Sequence, residues 1–475
     1  MSREMKFRSL FIPFLLIFSF SVFGQKGYLE LVSPTLLRED LQIVKENLEQ
    51  VHPGLYRYNS KEEFEAFYQK LQSEINTSVS SIEFYRKLLP LLSLIANNHT
   101  KIQCPKSYDS AISQELPRIP FRLYPKGNKL YTHEDLSREQ EIGAGKEIIS
   151  IDGVNSEELL KRMITKTSLD GQNTSFAYYG IGLAFSRKYA YYFGTKDVYQ
   201  VDYVDHKGET KTVSIKGIKA SEINKKRILL RTEESESLQL QIKEGIGYLK
   251  VTSFQPESEK KFKKQISRHF STIQRNSIKR LIIDVRDNGG GFGELAAYIL
   301  SYLISEPIHP YKDEYALVDK IPNPEYYDKD IFFKHFKSQR LVKKGKTYHI
   351  KNIASQKIRP NKNGFKGELF ILMNGGSASA TGEFLGLVKS YTNAVFFGEE
   401  AGGNPIEIAA NDLLTLVLPN SNIRITIPAL RTIVNTNFEN QGFGVQPDHE
   451  IIPSIQDIIN GKDPVLDFAL KKIKE

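Results

Sequence analysis

The second half of the chain alternates between short apolar runs and segments with helical periodicity. The runs IKRLIIDVR and GELFILMN have the continuous apolar character of strands buried on both faces of a parallel sheet. The segments ELAAYILSYLIS and ATGEFLGLVKSYT, which follow them along the chain, have the apolar spacing of helices. Because strand–helix repetition places parallel strands between layers of helices, we predict an α/β core from about residue 238 onward.

The first half shows two other patterns. Apolar residues recur every three to four positions in LLREDLQIVKENLEQVH, and two more helical segments follow up to residue 98. From about residue 116 to 225 we predict short strands separated by glycine-containing turns. The aromatic segment SFAYYGIGLAFSRKYAYYFG is interpreted as strand and core packing, with an aromatic surface for a peptide or glycan as the alternative.

Residues 307–366 interrupt the strand–helix alternation. This stretch is long, charged and aromatic. Segments of this length within a compact domain often serve as lids or binding loops. We therefore treat 307–366 as an insertion with a candidate lid function.

Residues 1–24 have the pattern of a secretory signal. Arg3, Lys6 and Arg8 precede the apolar stretch LFIPFLLIFSFSVFG, which is shorter than the roughly 20 residues of a membrane span. Small residues before Gln25 suit a cleavage site, and the alternative is an uncleaved anchor. We predict an exported protein, in the periplasm, at the cell surface or secreted, with no stable membrane span after cleavage.

Composition limits the classes of cofactor and partner. Sixty-five Lys and Arg residues are interspersed with 56 Asp and Glu residues, for a net charge of +9. A nucleic-acid binder concentrates its basic residues, so we predict no nucleic-acid partner. Cys104 is the single cysteine, which excludes an intramolecular disulfide and a cysteine-rich zinc site. None of the nine histidines lies in an H-E-x-x-H pattern, so we predict no metal and no cofactor. The sequence carries no signal for the oligomeric state.

Three segments could carry chemistry. In NGGSASATGE, residues 374–383, a serine lies at a tight turn between a strand and a helix, where unpaired backbone N–H groups could stabilise an oxyanion. An N-capping serine is the alternative. In DVRDNGGGFG, residues 284–293, the glycines allow close backbone approach to a ligand. The polar residues of this segment are interpreted as structural residues that stabilise the turn. In FENQGFGVQPDHEI, Glu439 precedes a glycine-rich turn and could be an ordinary exposed acid.

These segments, in this order, resemble the tail-specific (C-terminal processing) serine peptidases over residues 240–475. The family's D-x-R-x-N-x-G-G motif is matched by Asp284, Arg286, Asn288, Gly290 and Gly291. Its G-S-A-S motif is matched by Gly376, Ser377, Ala378 and Ser379. Its closing G-V-x-P-D motif is matched by Gly444, Val445, Pro447 and Asp448.

The resemblance implies an architecture and a nucleophile. It implies an α/β catalytic core of ClpP- and crotonase-like spiral β-β-α units at 231–475, preceded by an N-terminal helical region at 25–115 and a PDZ-like module at 116–230, which follow the signal peptide predicted at 1–24. The nucleophile would be Ser379, the second serine of G-S-A-S. The oxyanion would be held by the backbone N–H groups of Ala380 and of Gly290 or Gly291.

The sequence departs from the family's bacterial enzymes at the base. These use a lysine 25 residues after the serine, where this chain has Asn404, and no lysine lies between 390 and 460. The tricorn-core branch of the family instead uses serine, histidine and glutamate. His99, in the sequence Asn98-His99-Thr100, and Glu439 match that branch in order and context. Asn98 stands where that branch has a relay serine.

We therefore predict an exported serine endopeptidase that hydrolyses peptides or protein C-termini. Ser379 would be the nucleophile, His99 the base and Glu439 the group that orients the imidazole, with contact either direct or through Asn98. The alternative is a catalytically decayed relative that binds a peptide or a lipid.

Overall fold

The computed structural model describes residues 27–230, 237–328, 341–439 and 442–475, so the predicted signal segment lies outside the described residues. The helices are α1 (Pro34–Val51), α2 (Lys61–Glu74), α3 (Ser81–Leu88), α4 (Pro90–Ile95), α5 (Lys106–Gln114), α6 (Ser156–Ile164), α7 (Ser175–Phe193), α8 (Ala220–Leu230), α9 (Glu259–Arg275), α10 (Gly293–Leu300), α11 (Ala380–Tyr391), α12 (Ile455–Ile459) and α13 (Pro464–Lys474). Among the described residues, none of these helices combines the length and apolar character needed to cross a bilayer.

The strands form three larger sheets and one short ladder. The strands are β1 (Leu31–Val32), β2 (Val79–Ser80), β3 (Lys101–Gln103), β4 (Phe121–Lys126), β5 (Lys129–Asp135), β6 (Glu147–Ile151), β7 (Val154–Asn155), β8 (Val198–Val204), β9 (Thr210–Lys216), β10 (Leu238–Lys243), β11 (Ile246–Val251), β12 (Arg280–Asp284), β13 (Tyr311–Ala316), β14 (Leu341–Lys344), β15 (Thr347–Ile350), β16 (Glu368–Met373), β17 (Val395–Gly398), β18 (Glu407–Val417), β19 (Arg424–Val434) and β20 (His449–Glu450).

The first sheet is the predicted α/β core. Its order is β10-β11-β12-β16-β17-β20, and all neighbours are parallel except β10 and β11. Successive residues of β12 are buried on opposite faces, because Leu281 and Ile283 pack with α9, α10 and α11 while Ile282 packs with α13. Burial on both faces explains the continuous apolar runs, and the predicted strand–helix alternation is confirmed.

The second sheet joins a strand of the first half of the chain to strands of the second half. Its order is β14-β15-β13-β19-β18, and β3 pairs with β19 so that Ile102 lies opposite Ile425. The described parts of the segment 307–366 supply β13, β14 and β15 to this sheet. That segment is therefore partly structural, and its lid function stays a prediction.

The third sheet is antiparallel, in the order β4-β5-β6-β8-β9, and α7 packs against β4. The prediction of a strand for the aromatic segment is wrong, because residues 175–193 form helix α7. Its buried residues recur every three to four positions, as Ala177, Ile181, Phe185, Tyr189 and Tyr192 do. Aromatic side chains suggested a strand, but a helix with apolar residues on most of its surface accommodates them when it is largely enclosed.

Candidate active site

Two serines of the turn between β16 and α11 have different surroundings. Ser377 is fully buried, and its Oγ donates to the Val285 carbonyl at 2.8 Å and accepts the Asn374 N–H at 3.2 Å. Ser379 lies directly before α11, with φ +56° and ψ −129°. This is a strained backbone conformation for a residue with a side chain, of the kind found at functional sites. Ser377 therefore fastens the turn, whereas Ser379 is the serine that the turn presents.

His99 approaches Ser379 from a turn between α4 and β3. The Thr100 N–H and hydroxyl both donate to Asn97 Oδ1 at 3.0 Å, which closes the turn. Buried His52 accepts the Gly54 N–H on Nδ1, so its Nε2–H donates to Thr100 Oγ1 at 2.8 Å. His52 is thus the support of the turn.

The supported turn brings His99 Nε2 to 3.1 Å from Ser379 Oγ, across 280 residues of sequence. This is hydrogen-bond distance for a serine and the base that takes its proton. Burial, followed by the positive charge of Lys101, lowers the pKa of His99 to about 3. The imidazole is therefore neutral at pH 7, which is the form that accepts a proton.

The second ring nitrogen of His99 forms no hydrogen bond to any described residue. His99 Nδ1 and Asn98 Oδ1 are both shut off from solvent and have no hydrogen-bond partner among the described residues. Glu439, the predicted orienting residue, is exposed and makes no hydrogen bond to His99 or Asn98. Its loop is anchored further along, where the Gln172 N–H donates to the Gly442 carbonyl at 2.7 Å. The structure thus brings His99 and Ser379 together but leaves Glu439 apart from them.

The glycine motif after β12 packs directly beside the turn that carries Ser379. A Cβ on Gly290 would lie 2.8 Å from Ser379 Cβ, so only glycine fits there. The Asn288 carbonyl accepts the Ala378 N–H at 3.1 Å, and Asn288 Oδ1 accepts the Gly290 N–H at 3.0 Å. The N–H groups of Ala380 and Gly291 donate to no other described residue. Those two N–H groups, more than that of Gly290, are free to bind an oxyanion.

The charged residues of the same motif hold the core together. Arg286 donates to Asp284 at 2.6 Å and to both carboxylate oxygens of Asp463 at 2.7 Å. Asp463 in turn caps α13 by accepting the Leu466 N–H. These contacts give the charged residues a structural role, as was predicted for the polar residues of this motif.

Asn404, at the position of the family's lysine, has a structural role. Its side chain donates to Tyr58 Oη at 2.9 Å and accepts the Ile406 N–H at 2.9 Å, while its own N–H donates to Asp170 at 3.4 Å. An amide has no basic lone pair, whereas the imidazole of His99 lies within hydrogen-bond distance of Ser379.

Sequence reasoning missed Asp170. This carboxylate is 4% exposed and accepts backbone N–H groups from both Asn98 and Asn404. It therefore links the turn that carries His99 to the loop that packs against Ser379. Burial raises its pKa to about 7. In the sequence it stands in an ordinary Asp-Gly turn, and no local signal distinguishes it.

The described residues contain no cluster of metal-binding side chains. No group of three or more His, Cys, Asp or Glu side chains is placed there to hold a metal ion.

Comparison with known proteins supports a peptidase fold. Residues 245–451 match the family model "Peptidase family S41". The structure of mature CPAF is 14% identical, covers 93% of this chain and 96% of its own, and has a TM-score of 0.63. The complex of mature CPAF with lactacystin matches with the same identity and TM-score and covers 98% of its own chain. The photosystem II D1 C-terminal processing protease is 13% identical, covers 90% of this chain and 96% of its own, and has a TM-score of 0.42. No curated protein sequence is significantly similar to this chain.

Proposed function

We propose that this chain, of which residues 245–451 match peptidase family S41, is an exported serine endopeptidase in which Ser379, His99 and Glu439 carry out the hydrolysis. The observation that carries the proposal is the distance of 3.1 Å between His99 Nε2 and Ser379 Oγ. A serine hydroxyl becomes an effective nucleophile only when a neighbouring base takes its proton.

The reaction follows from this geometry. Ser379 Oγ attacks the carbonyl carbon of the scissile bond while its proton passes to His99 Nε2. The resulting oxyanion accepts hydrogen bonds from the N–H groups of Ala380 and Gly291, which are otherwise unused. His99 then gives the proton to the departing amine nitrogen, and an ester remains on Ser379. Water, deprotonated by His99, hydrolyses this ester and restores the free serine.

We propose that Glu439 completes the site in the substrate complex. Protonation of His99 creates an imidazolium in a site where burial disfavours charge. The unpartnered Nδ1 of His99 is the atom at which an orienting carboxylate would act. Glu439 would turn toward this atom directly or through Asn98, whose Oδ1 also lacks a partner.

We also propose roles for two regions outside the catalytic core. The antiparallel sheet of β4–β9 lies within the segment 116–230, for which we propose a PDZ-like module. The charged and apolar pattern of residues 1–24 supports export to the periplasm or cell surface. The substrate is a peptide or protein.

A second candidate function is binding without turnover. It is favoured by the separation of Glu439 from His99 and by Asn404 at the position of the family's lysine. A decayed site of this kind would hold a peptide or lipid but would not form an acyl-enzyme.

Labelling with a fluorophosphonate probe separates the two candidates. The proposed peptidase reacts with the probe, and Ser379→Ala loses the reaction while Ser377→Ala, once shown to be folded by its melting curve, retains it. The absence of labelling in the wild-type protein, or labelling that survives Ser379→Ala, would exclude Ser379 as the nucleophile.

A further inference from the structure

A large cavity adjoins the candidate active site. It has a volume of about 710 Å³ and lies between α7, the α3–α4 helices and β3. Asn98, the neighbour of His99 in the sequence, is one of its lining residues. Phe176 also lines it, and a Cβ on Gly402 would meet the Phe176 Cβ at 3.1 Å. Gly403, the next residue, packs against the Ser379 N–H. The cavity is therefore separated from Ser379 by the packed residues Phe176, Gly402 and Gly403, and it lies beside the candidate site.

The cavity has an apolar floor and a basic rim. Its floor includes the buried side chains of Leu89, Leu92 and Ile102. Four lysines contribute to the rim, namely Lys101, Lys106, Lys166 and Lys188. An apolar floor with cations at its edge suits a group that combines a hydrocarbon part with a negative charge.

The positive charge of the rim is not neutralised by the protein. Among the described residues, Asp109 is the one acid that lines the cavity, and it accepts from Arg187 at 2.7 Å and from Tyr191 at 2.5 Å. Among the described residues, none of the four lysines forms an ion pair, and Lys188 donates only to Tyr192 Oη at 3.4 Å. A cavity with this imbalance favours an anionic occupant.

The electrostatics of two of these lysines agree with that conclusion. The pKa of Lys101 is lowered by partial desolvation and then by repulsion from Lys188. The pKa of Lys166 is lowered by burial and then by repulsion from Arg86 and Arg162. The charged forms of both lysines are therefore destabilised in the protein, and a bound anion would stabilise them.

We propose that this basic cavity is a specificity subsite that binds a carboxylate of the substrate, with Lys101 and Lys188 as its principal ligands and the apolar floor receiving the adjoining hydrocarbon. The inference rests on the proposed peptidase function, because the occupant is taken to be part of the peptide that reaches Ser379. The carboxylate could belong to a Glu or Asp side chain or to a free C-terminus. Both would make charge-assisted hydrogen bonds to the ammonium groups.

Binding to an inactive variant tests the proposal independently of catalysis. Immobilised Ser379→Ala protein is exposed to three pools of random octapeptides, acetylated at the N-terminus. The first carries one Glu and a C-terminal amide, the second carries Gln and the amide, and the third carries Gln and a free C-terminus. Retained peptides are quantified by mass spectrometry. We expect the first or the third pool to be retained about tenfold more than the second. Enrichment of the first identifies a side-chain carboxylate, and enrichment of the third identifies a terminal one.

Two controls make the result specific to the cavity. Lys101→Gln with Lys188→Gln, in the Ser379→Ala background, should reduce the enrichment to about threefold or less, while Lys70→Gln on the exposed surface of α2 should leave it unchanged. Without any lysine substitution, the enrichment should also fall as salt is raised from about 0.05 M to about 0.5 M. Equal retention of all three pools, or enrichment that survives removal of both lysines, would overturn the proposal. Failure of the peptidase function would show itself separately, as absence of fluorophosphonate labelling in the wild-type protein.

Discussion

At the scale of single residues, hydrogen bonds distinguish side chains of the same type. Ser377 and His52 are both buried, and each has its polar atoms engaged by the backbone or by Thr100. Ser379 and His99 face each other instead. The sequence alone could propose Ser379 and His99 because their motifs resemble a known family. The contacts that make Ser377 and His52 into supports depend on residues far along the chain and were not predictable.

Asp170 gives a test of how one buried carboxylate affects stability. Burial raises its pKa from 3.8 to about 7. Between these pH values Asp170 is protonated in the folded protein and ionised in the unfolded chain. Its contribution therefore lowers the free energy of unfolding as pH rises from about 4 to 7. Asp170→Asn removes the charge. We therefore expect the melting temperature of Asp170→Asn, relative to wild type, to increase as pH rises from about 4 to about 8.

The control for Asp170→Asn is the same substitution at an exposed aspartate. Asp319 is exposed, so Asp319→Asn should show no such trend relative to wild type. A difference in melting temperature for Asp170→Asn that is independent of pH would mean that Asp170 is ionised throughout this range.

At the scale of elements, the sequence predicted local patterns better than long-range pairings. The strands β12 and β16 and the helix α11 were predictable because burial on two faces and helical spacing are visible within a few residues. The pairing of β3 with β19, about 320 residues away, was not, because nothing local specifies the partner of a three-residue strand. This pairing attaches the strand that follows the turn of His99 to the second sheet.

Helix α7 provides a test at this scale. Ile181 is fully buried and Leu183 is 47% exposed, whereas in the strand first predicted for this segment both would lie on one face. We expect Ile181→Ala to lower the free energy of unfolding by about 2–5 kcal/mol and Leu183→Ala to lower it by less than about 1 kcal/mol. Urea denaturation measures both. Equal losses would contradict the helix.

At the scale of the whole molecule, contacts between distant segments build the site. Arg57 donates to Glu407 at 2.7 Å, and Glu407 also pairs with Arg431. Asp40 of α1 accepts the N–H groups of Asn420 and Ser421. Together with β3, these contacts attach the N-terminal helices to the second sheet. His99 therefore reaches Ser379 because the N-terminal part of the chain is packed against the second sheet.

The C-terminal helix is attached by Arg286, two residues after β12, and Arg280 at the start of β12 offers a matched substitution. Arg286 bridges Asp284, whose side chain is 1% exposed, and Asp463 of the α13 cap. Arg280, at the other end of β12, pairs with Glu368, and the side chains are 44% and 66% exposed. Because Arg286→Met leaves a buried charge unpaired, it should lower the free energy of unfolding by about 3 kcal/mol or more.

Arg280→Met is the control for that substitution, and the expected loss is at most about 1 kcal/mol because the pair is exposed to solvent. Urea denaturation of both variants gives the comparison. Similar losses for the two would show that the Arg286 bridge contributes no more than an ordinary surface ion pair.

The central claim is that His99 is the base for Ser379, and the most direct measurement is kcat/KM of His99→Ala for a peptide that the wild-type protein cleaves. We expect His99→Ala to lose activity about as fully as Ser379→Ala, the double variant to be no worse than either, and Glu439→Gln to retain more, because members of one catalytic unit are not additive. All variants must first show wild-type melting. If His99→Ala keeps more than about a tenth of wild-type kcat/KM, a change of less than about 1.4 kcal/mol in the barrier, His99 is not the base.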